Sequence, residues 1–321
     1  MGLRFIDFCS GIGAGRLGLE QNGLICIAHS EISHEADYTY KVFFNDERNL
    51  GDLTFLTAEK IPESDILIAG FPCQTFSIVG KRAGFEDERG QIIYHLSNIL
   101  KQKNIPYFIF ENVKGLVNHN GGKTLSSIVE LLHNAGYEVA YKVLNSIDYG
   151  VPQLRERVYF VGIRKDLYIK PFIFPAPMKH VGIEKFLLNN NFLQDVNHPS
   201  FQKYLSNKYN KDRININQIL QQEYAVIDTR QSDLRVYFNK CPTLRTGRHG
   251  ILYVRNKRLY KLSGLEALLL QGFPIEYVTK AVEISNTKLL SQAGNAMTVN
   301  VIAAIGKSLL NYINGDYDVW I

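Results

Sequence analysis

Cysteine is scarce. The 321 residues contain four, Cys9, Cys26, Cys73 and Cys241, and no two form a Cys-x-x-Cys pair. That argues against a zinc cluster or a disulfide scaffold, so no metal is expected and a reduced, cytoplasmic setting is the default. No run of about 18 uncharged apolar residues is present, so no transmembrane helix and no membrane partner are expected. The first residues, Leu3-Arg4-Phe5-Ile6-Asp7-Phe8, lack the charged, apolar and small-residue order of a signal peptide. Met1-Gly2 is not followed by Ser or Thr at the sixth position, which disfavours a myristoyl signal. Internal repeats and low-complexity tracts are also missing. What remains is an ordinary globular composition, 45% apolar and 21% charged. Its length suits about two domains at roughly 150 residues each.

The net charge of +5 is modest, but its distribution is not. Residues 201–260 carry 12 Lys and Arg against 4 Asp and Glu, a net of +8, which leaves −3 for the rest (5 − 8). One segment therefore holds the positive field, and a polyanionic partner met by one part of the protein is implied.

The first 165 residues alternate short apolar runs with amphipathic stretches. Strands are expected at Leu3–Phe8, Leu24–His29, Asp65–Ala69, Tyr107–Phe110, Val139–Leu144 and Val158–Ile163. Helices are expected at Gly15–Asn22, Glu35–Phe44, Ile92–Lys103 and Thr124–Ala135. Such alternation predicts an α/β fold with a mainly parallel sheet and helices on both faces. Near Lys170 the pattern changes: Pro171, Pro175 and Pro177 break the chain and an Asn-rich stretch follows. Residues 170–262 read as a smaller domain, mostly irregular with short β runs at Gly250–Val254 and Arg258–Leu262. Residues 263–321 are expected to return to the first domain (1–169), ending in an apolar helix at Thr298–Asn311.

Phe5–Gly15 reads as a strand running into a glycine-rich turn (Gly11-Ile12-Gly13-Ala14-Gly15) and then a helix. Glycines let the backbone turn sharply and let a ligand approach, and the crevice at strand ends is the expected ligand site of an open α/β sheet. Glu31, about 20 residues on, could accept both ribose hydroxyls of a nucleoside cofactor. Asp52 is a candidate for an adenine amino group. These features alone fit an adenosyl cofactor, a dinucleotide oxidoreductase, or a tight turn with no ligand.

Gly70-Phe71-Pro72-Cys73-Gln74 follows an apolar strand directly, which puts Cys73 at a strand's carboxyl end. Cys9, Cys26 and Cys241 read as small buried hydrophobes; Cys73, between Pro and Gln in a turn, does not. The glycine-spaced basic segment after it, with Ser77, Lys81, Arg82 and Arg89, could act as a lid over a phosphate backbone.

Gly70–Gln74 resembles the nucleophile motif of the DNA cytosine-5 methyltransferases of bacterial restriction–modification type. Phe110-Glu111-Asn112-Val113 resembles that family's Glu-Asn-Val motif, Gln153-Leu154-Arg155-Glu156-Arg157 its Gln-x-Arg-x-Arg motif, and Asp7–Gly15 its cofactor loop. Leu262–Pro274 and Gly294-Asn295-Ala296-Met297-Thr298-Val299 resemble its last two motifs, and all six occur in family order. The departures are Cys9 where Phe is common, Ala14 for Gly, Ile32 for an adenine-stacking Trp, and Leu265 and Leu269 for Arg. They bear on cofactor packing and local ion pairs more than on chemistry.

The resemblance implies a Rossmann-like S-adenosylmethionine-dependent methyltransferase domain with a small target-recognition domain. It also implies methylation of cytosine C5 in a short duplex DNA sequence, with S-adenosylhomocysteine as product. It assigns Cys73 as nucleophile toward C6, Glu111 to N3 and Arg157 to O2, with Arg155 steadying the loop or a phosphate. It implies cofactor contacts at Cys9, Gly11, Ile12, Gly13, Ala14, Glu31, Ile32, Asp52, Leu53, Pro72, Ile92 and Asn295.

A cytosine inside a duplex must be turned out of the stack, at a cost of roughly a few kcal/mol. The stretch Lys240–Lys261, with seven Lys and Arg and no acid, is expected to supply compensating contacts. Candidate DNA-binding residues are Gln74, Ser77, Lys81, Arg82, Arg89, Arg230, Arg235, Thr243, Arg245 and Arg248; forked arginines suit guanine edges. Double-stranded DNA is the expected partner of a monomer in the bacterial cytoplasm, nucleoid-associated when bound, with a restriction endonuclease sharing the site. Two rivals stay open: a catalytically idle DNA-binding protein on this scaffold, and a tRNA cytosine methyltransferase. The Asp/Asn-Pro-Pro-aromatic motif of amino-group methylation is absent.

Overall fold

The computed structural model describes residues 2–72, 92–189, 192–247 and 249–316. In chain order the elements begin β1 (Arg4–Phe8), α1 (Ala14–Glu20), β2 (Ile25–Ser30), α2 (His34–Phe44), β3 (Ile66–Gly70), α3 (Ile92–Lys103) and β4 (Tyr107–Val113). They continue with α4 (Gly115–Asn118), α5 (Lys123–Asn134), β5 (Tyr137–Asn145), β6 (Gln153–Leu154), β7 (Glu156–Arg164), α6 (Pro199–Leu205) and α7 (Ile216–Ile219). The remainder is β8 (Ala225–Asp228), β9 (Arg235–Phe238), β10 (Cys241–Pro242), β11 (Ile251–Arg255), β12 (Arg258–Lys261), α8 (Gly264–Leu270), α9 (Ile275–Lys280), α10 (Asn286–Asn295) and α11 (Val299–Asn314). The chain divides into two compact units. The first comprises Met1–Asn145, Glu156–Pro177 and Met297–Ile321; the second comprises Ser146–Arg155 and Met178–Ala296.

The first unit is built on a six-stranded sheet of order β2-β1-β3-β4-β7-β5. β2, β1, β3 and β4 run parallel, and β7 is antiparallel to both of its neighbours. The fold is therefore mixed α/β with a parallel-dominated sheet. β3 is a continuous apolar run, as burial on both sheet faces requires; β1 is buried from Phe5 to Phe8 and carries one charged group within that stretch, Asp7. Chain direction along the sheet reverses between β1 and β3, so their carboxyl ends open the crevice in which α/β folds bind ligands. α11 packs on α1, where Asn22 Nδ2 donates to the Ala303 carbonyl at 2.9 Å.

The second unit holds a four-stranded antiparallel sheet of order β12-β11-β8-β9 over a core that includes Phe201, Ile227, Leu252, Val254 and Leu259. β11 and β12 are joined by a two-residue turn in which Asn256 (φ 51°) and Lys257 (φ 59°) are both left-handed, the geometry that matches strand twist in a tight hairpin. The two strands fall where the short β runs are expected; β8 and β9, four residues each, have no counterpart among the expected strands.

The expectation of no membrane-length apolar stretch needs one correction. By length and composition Asn286–Asn314 could cross a membrane, although 61% of its apolar window is buried in the protein. The chain is extended at Ala296 (ψ 146°), which splits the stretch into α10 and α11.

Candidate active site

The first turn after β1 is shaped by three left-handed residues, Cys9 (φ 49°), Gly11 (φ 55°) and Gly13 (φ 83°). Cys9 lies just beyond the strand rather than inside it, and is half-buried. A side chain at Gly13 would fall within 2.2 Å of the Phe44 ring, whereas one at Gly11 would meet open space. The turn is thus packed from below and open above, a cradle of the kind a nucleoside group needs. Ile12 and Ala14 are buried beneath it. Arg16 braces it: Nε donates to Glu20 at 2.8 Å, Nη1 to Asp46 at 2.6 Å, and the guanidinium lies 4.3 Å from the Phe44 ring centre.

Glu31 follows β2. One carboxylate oxygen accepts the Gly11 N–H at 2.7 Å and the other the Ser33 N–H at 2.8 Å. A carboxylate has about four acceptor positions, so both oxygens keep capacity for hydroxyl donors. Asp52 Oδ1 accepts the Thr54 N–H and hydroxyl, each at 2.8 Å. Leu53 is buried, Pro72 exposed and Ile92 half-buried. Ile32 is 69% exposed and offers no ring for stacking. Burial pushes the Asp7 carboxyl well above the usual carboxylate range; its Oδ2 accepts the Arg16 N–H at 3.2 Å.

At the end of β4, Glu111 and Arg157 form a diagonal cross-strand pair. β4 and β7 set Val113 opposite Arg157 and Glu111 opposite Tyr159, which puts both charged side chains on one sheet face. Arg157 Nε lies 3.1 Å from Glu111 Oε1, and the two side chains are 13% and 11% exposed. They are shielded enough to feel each other, yet retain access to solvent. Gly70, the last residue of β3, is in register with Glu111. Asn112 Nδ2 donates to the Phe71 carbonyl at 2.9 Å and so pins the root of the segment that leads to Cys73. Asn112, the middle residue of the Glu-Asn-Val motif, carries no separate role in the sequence reading, and its motif position is the one signal for it.

Cys73, Gln74, Ser77, Lys81, Arg82 and Arg89 lie outside the described residues, as does Arg248. The remaining cysteines differ in kind from a nucleophile. Burial pushes the Cys26 thiol up to about 12 and those of Cys9 and Cys241 higher still, so none is a thiolate near neutral pH.

In the second unit the expected functional arginines divide. Arg155 is 2% exposed; Nη1 donates to the carbonyls of Leu244 and Gly294 at 3.2 Å each and Nη2 to that of Ala296 at 2.7 Å. It acts as a positioning residue that ties two backbone segments together. Gln153 works alongside it, donating to the Leu270 carbonyl at 2.8 Å and accepting the Leu244 N–H at 3.1 Å. Arg230, a candidate DNA-binding residue, has its guanidinium engaged within the fold. Its side chain is 2% exposed, forked onto Asp228 with both contacts at 2.7 Å, and bonded to the Thr243 carbonyl at 2.8 Å. Thr243 Oγ1 donates to the Leu154 carbonyl at 2.5 Å. Arg235 is exposed and paired with Asp233 at 2.9 Å, and Arg245 is exposed.

Asn295, at the end of α10, is exposed. Its neighbour Gly294 has a local reason: a Cβ there would sit 2.4 Å from the Arg245–Thr246 backbone, so the loop carrying Arg245 can lie against α10 only over a glycine. Among the described residues no group of three or more His, Cys, Asp or Glu side chains could hold a metal ion.

Residues 3–311 match the family model of C-5 cytosine-specific DNA methylases. The chain is 37% identical to the Type II methyltransferase M.NgoBI of Neisseria gonorrhoeae, over 94% of this chain and 91% of that protein. It is 33% identical to the Type II methyltransferase M.HhaI of Haemophilus parahaemolyticus, over 98% and 96%. Among solved structures it resembles DNMT2 of Spodoptera frugiperda (TM-score 0.70, 20% identity, 96% of this chain and 100% of that one). It also resembles the S. pombe Dnmt2 methyltransferase (TM-score 0.70, 18% identity, 97% and 99%). Those two likenesses carry the fold alone.

Proposed function

The chain belongs to the C-5 cytosine-specific DNA methylase family, and from that premise we propose how its own residues carry out the reaction and where it acts. It is a DNA cytosine-5 methyltransferase of restriction–modification type. The observation that carries the mechanistic reading is the Glu111–Arg157 pair, largely sheltered at a strand end beside the pinned root of the Cys73 segment.

Cytosine C5 is a weak nucleophile. Addition of the Cys73 thiolate to C6 forms an S–C6 bond and moves the C5–C6 π electrons toward C5, which becomes enamine-like. Glu111, carrying a proton, donates to N3 and draws electron density from C6. Arg157 faces O2 and offsets the negative charge that develops there. After methylation a base takes the C5 proton, the S–C6 bond breaks and Cys73 leaves as thiolate. Water can serve as that base.

S-adenosylmethionine supplies an electrophilic methyl group on a sulfonium sulfur and leaves as S-adenosylhomocysteine. The residues fit it: Glu31 keeps acceptor capacity for ribose hydroxyls, and the turn at Gly11 opens onto free space. Ile12, Leu53, Pro72, Ile92 and Asn295 complete the proposed set. The methylated cytosine lies in a short duplex site, where the protein acts as a monomer in the bacterial cytoplasm and a restriction nuclease shares the sequence. Arg235, Thr243, Arg245 and the basic residues after Cys73 meet the DNA.

Plasmid DNA methylated by the purified protein and mapped by bisulfite conversion tests activity and target together. Converted patterns should show one short motif protected at every copy, and no protection with Cys73→Ser. Methyl transfer to tRNA in preference to duplex DNA would overturn the reading.

A further inference from the structure

The geometry points to Asn49 as a positioning residue that sets the spacing of the two adenosyl-binding carboxylates, Glu31 and Asp52. The inference rests on the reading of those two groups as cofactor ligands. β2 is the edge strand of its sheet. Beyond its end the chain folds back so that Asn49 bridges to His29 and Leu50 N–H donates to the His29 carbonyl at 2.7 Å. The Asn49 side chain then joins the two loops. Its Oδ1 accepts the Glu31 N–H at 3.1 Å and the Gly51 N–H at 2.8 Å, and its Nδ2 donates to the Glu31 carbonyl at 3.0 Å. Ser30 Oγ adds a bond to the Gly51 carbonyl at 2.6 Å. Glu31 and Gly51-Asp52 thereby hang from one amide group.

Few side chains could do this. The bond to Gly51 is an Asx turn, which Asp also makes. Asp, however, has no donor for the Glu31 carbonyl and would set a second negative charge beside Glu31. Ser can accept from Gly51 but is too short to span both loops. Function follows from preorganisation: two carboxylates held at a fixed separation meet the ribose and the adenine edge without an ordering cost at binding. Ile32 is 69% exposed and supplies no stacking ring, so carboxylate placement carries more of the recognition. The sequence held one signal for this, an Asn two residues before Gly51-Asp52, a turn-forming spacing.

The test is calorimetric titration of S-adenosylhomocysteine into the full chain, with steady-state kinetics beside it. Asn49→Ala should weaken binding about 10-fold and raise the KM for S-adenosylmethionine alike, with kcat and the KM for DNA within about twofold. Asn49→Ser, which keeps the turn, should lose less. In the Asp52→Asn background the Asn49→Ala penalty should shrink, because the two act as a unit. Equal binding by Asn49→Ala and wild type overturns the inference, as does a parallel fall in kcat and DNA affinity, which marks a merely structural residue. If wild type itself fails to bind S-adenosylhomocysteine, the cofactor reading falls first and the inference with it.

Discussion

In the first unit, Arg157 stands near the start of β7 with its partner Glu111 and keeps access to solvent. In the second, Arg155, two residues earlier in the same motif, is buried and engages three backbone carbonyls. The basic segment repeats the contrast: Arg230 is buried on Asp228, while Arg235 and Arg245 are exposed. Residue type and charge are the same in every case; what differs is how deeply the fold buries the guanidinium. A fully buried arginine holds backbone in place, and one with solvent access can meet a ligand.

The sharpest break of this comparison is Arg155→Ala. It leaves carbonyls of Leu244, Gly294 and Ala296 short of a donor and opens a cavity, so denaturant unfolding should show a loss of about 4 kcal/mol. Arg157→Ala should change stability far less and activity far more. Next is Arg230→Ala, which strands the buried Asp228 carboxylate and should cost about 3 kcal/mol by the same measurement. Glu111→Gln comes third: kcat should fall about 100-fold with DNA affinity nearly unchanged, measured by single-turnover methylation and filter binding. Arg245→Ala should leave stability within about 0.5 kcal/mol and lower the slope of log affinity against log salt by about 1. A flat salt dependence in the wild type would remove the case for the basic segment.

The smallest effect is a pH term. Burial raises the Asp228 carboxyl, but hydrogen bonds from the Arg230 side chain and backbone outweigh it and hold the group below the usual range. In the interval between the two values the unfolded chain binds the proton and the folded chain does not. Asp228 therefore adds stability above about pH 4, and that share is lost as pH falls through the lower folded value. Thermal midpoints against pH should show a shallower acid decline in Arg230→Ala than in wild type.

How much of this was legible in sequence follows from range of interaction. The apolar stretches within Asp65–Ala69 and Tyr107–Phe110 announce buried strands because burial on both faces leaves no polar alternation. The glycine turn was legible because positive φ restricts residue choice. β8 and β9 were not, since each is only four residues long, too short for a period to stand out, and β9 is only partly buried. The split between Arg155 and Arg157 is implied by the family resemblance alone: the burial of Arg155 depends on carbonyls about 90 to 140 positions away, which no local pattern encodes. Asn49 falls between these cases, with a readable local turn and an unreadable bridge to Glu31.

The central claim is a transient bond between Cys73 and cytosine C6. It is tested most directly with duplex DNA carrying 5-fluorocytosine at the mapped target, where fluorine takes the place of the proton that must leave. With S-adenosylmethionine present, wild type should give a denaturation-resistant protein–DNA adduct mapping to Cys73 by peptide mass, and Cys73→Ser none. Normal methylation of ordinary DNA by wild type, with no adduct ever forming on the fluorinated site, would contradict the account.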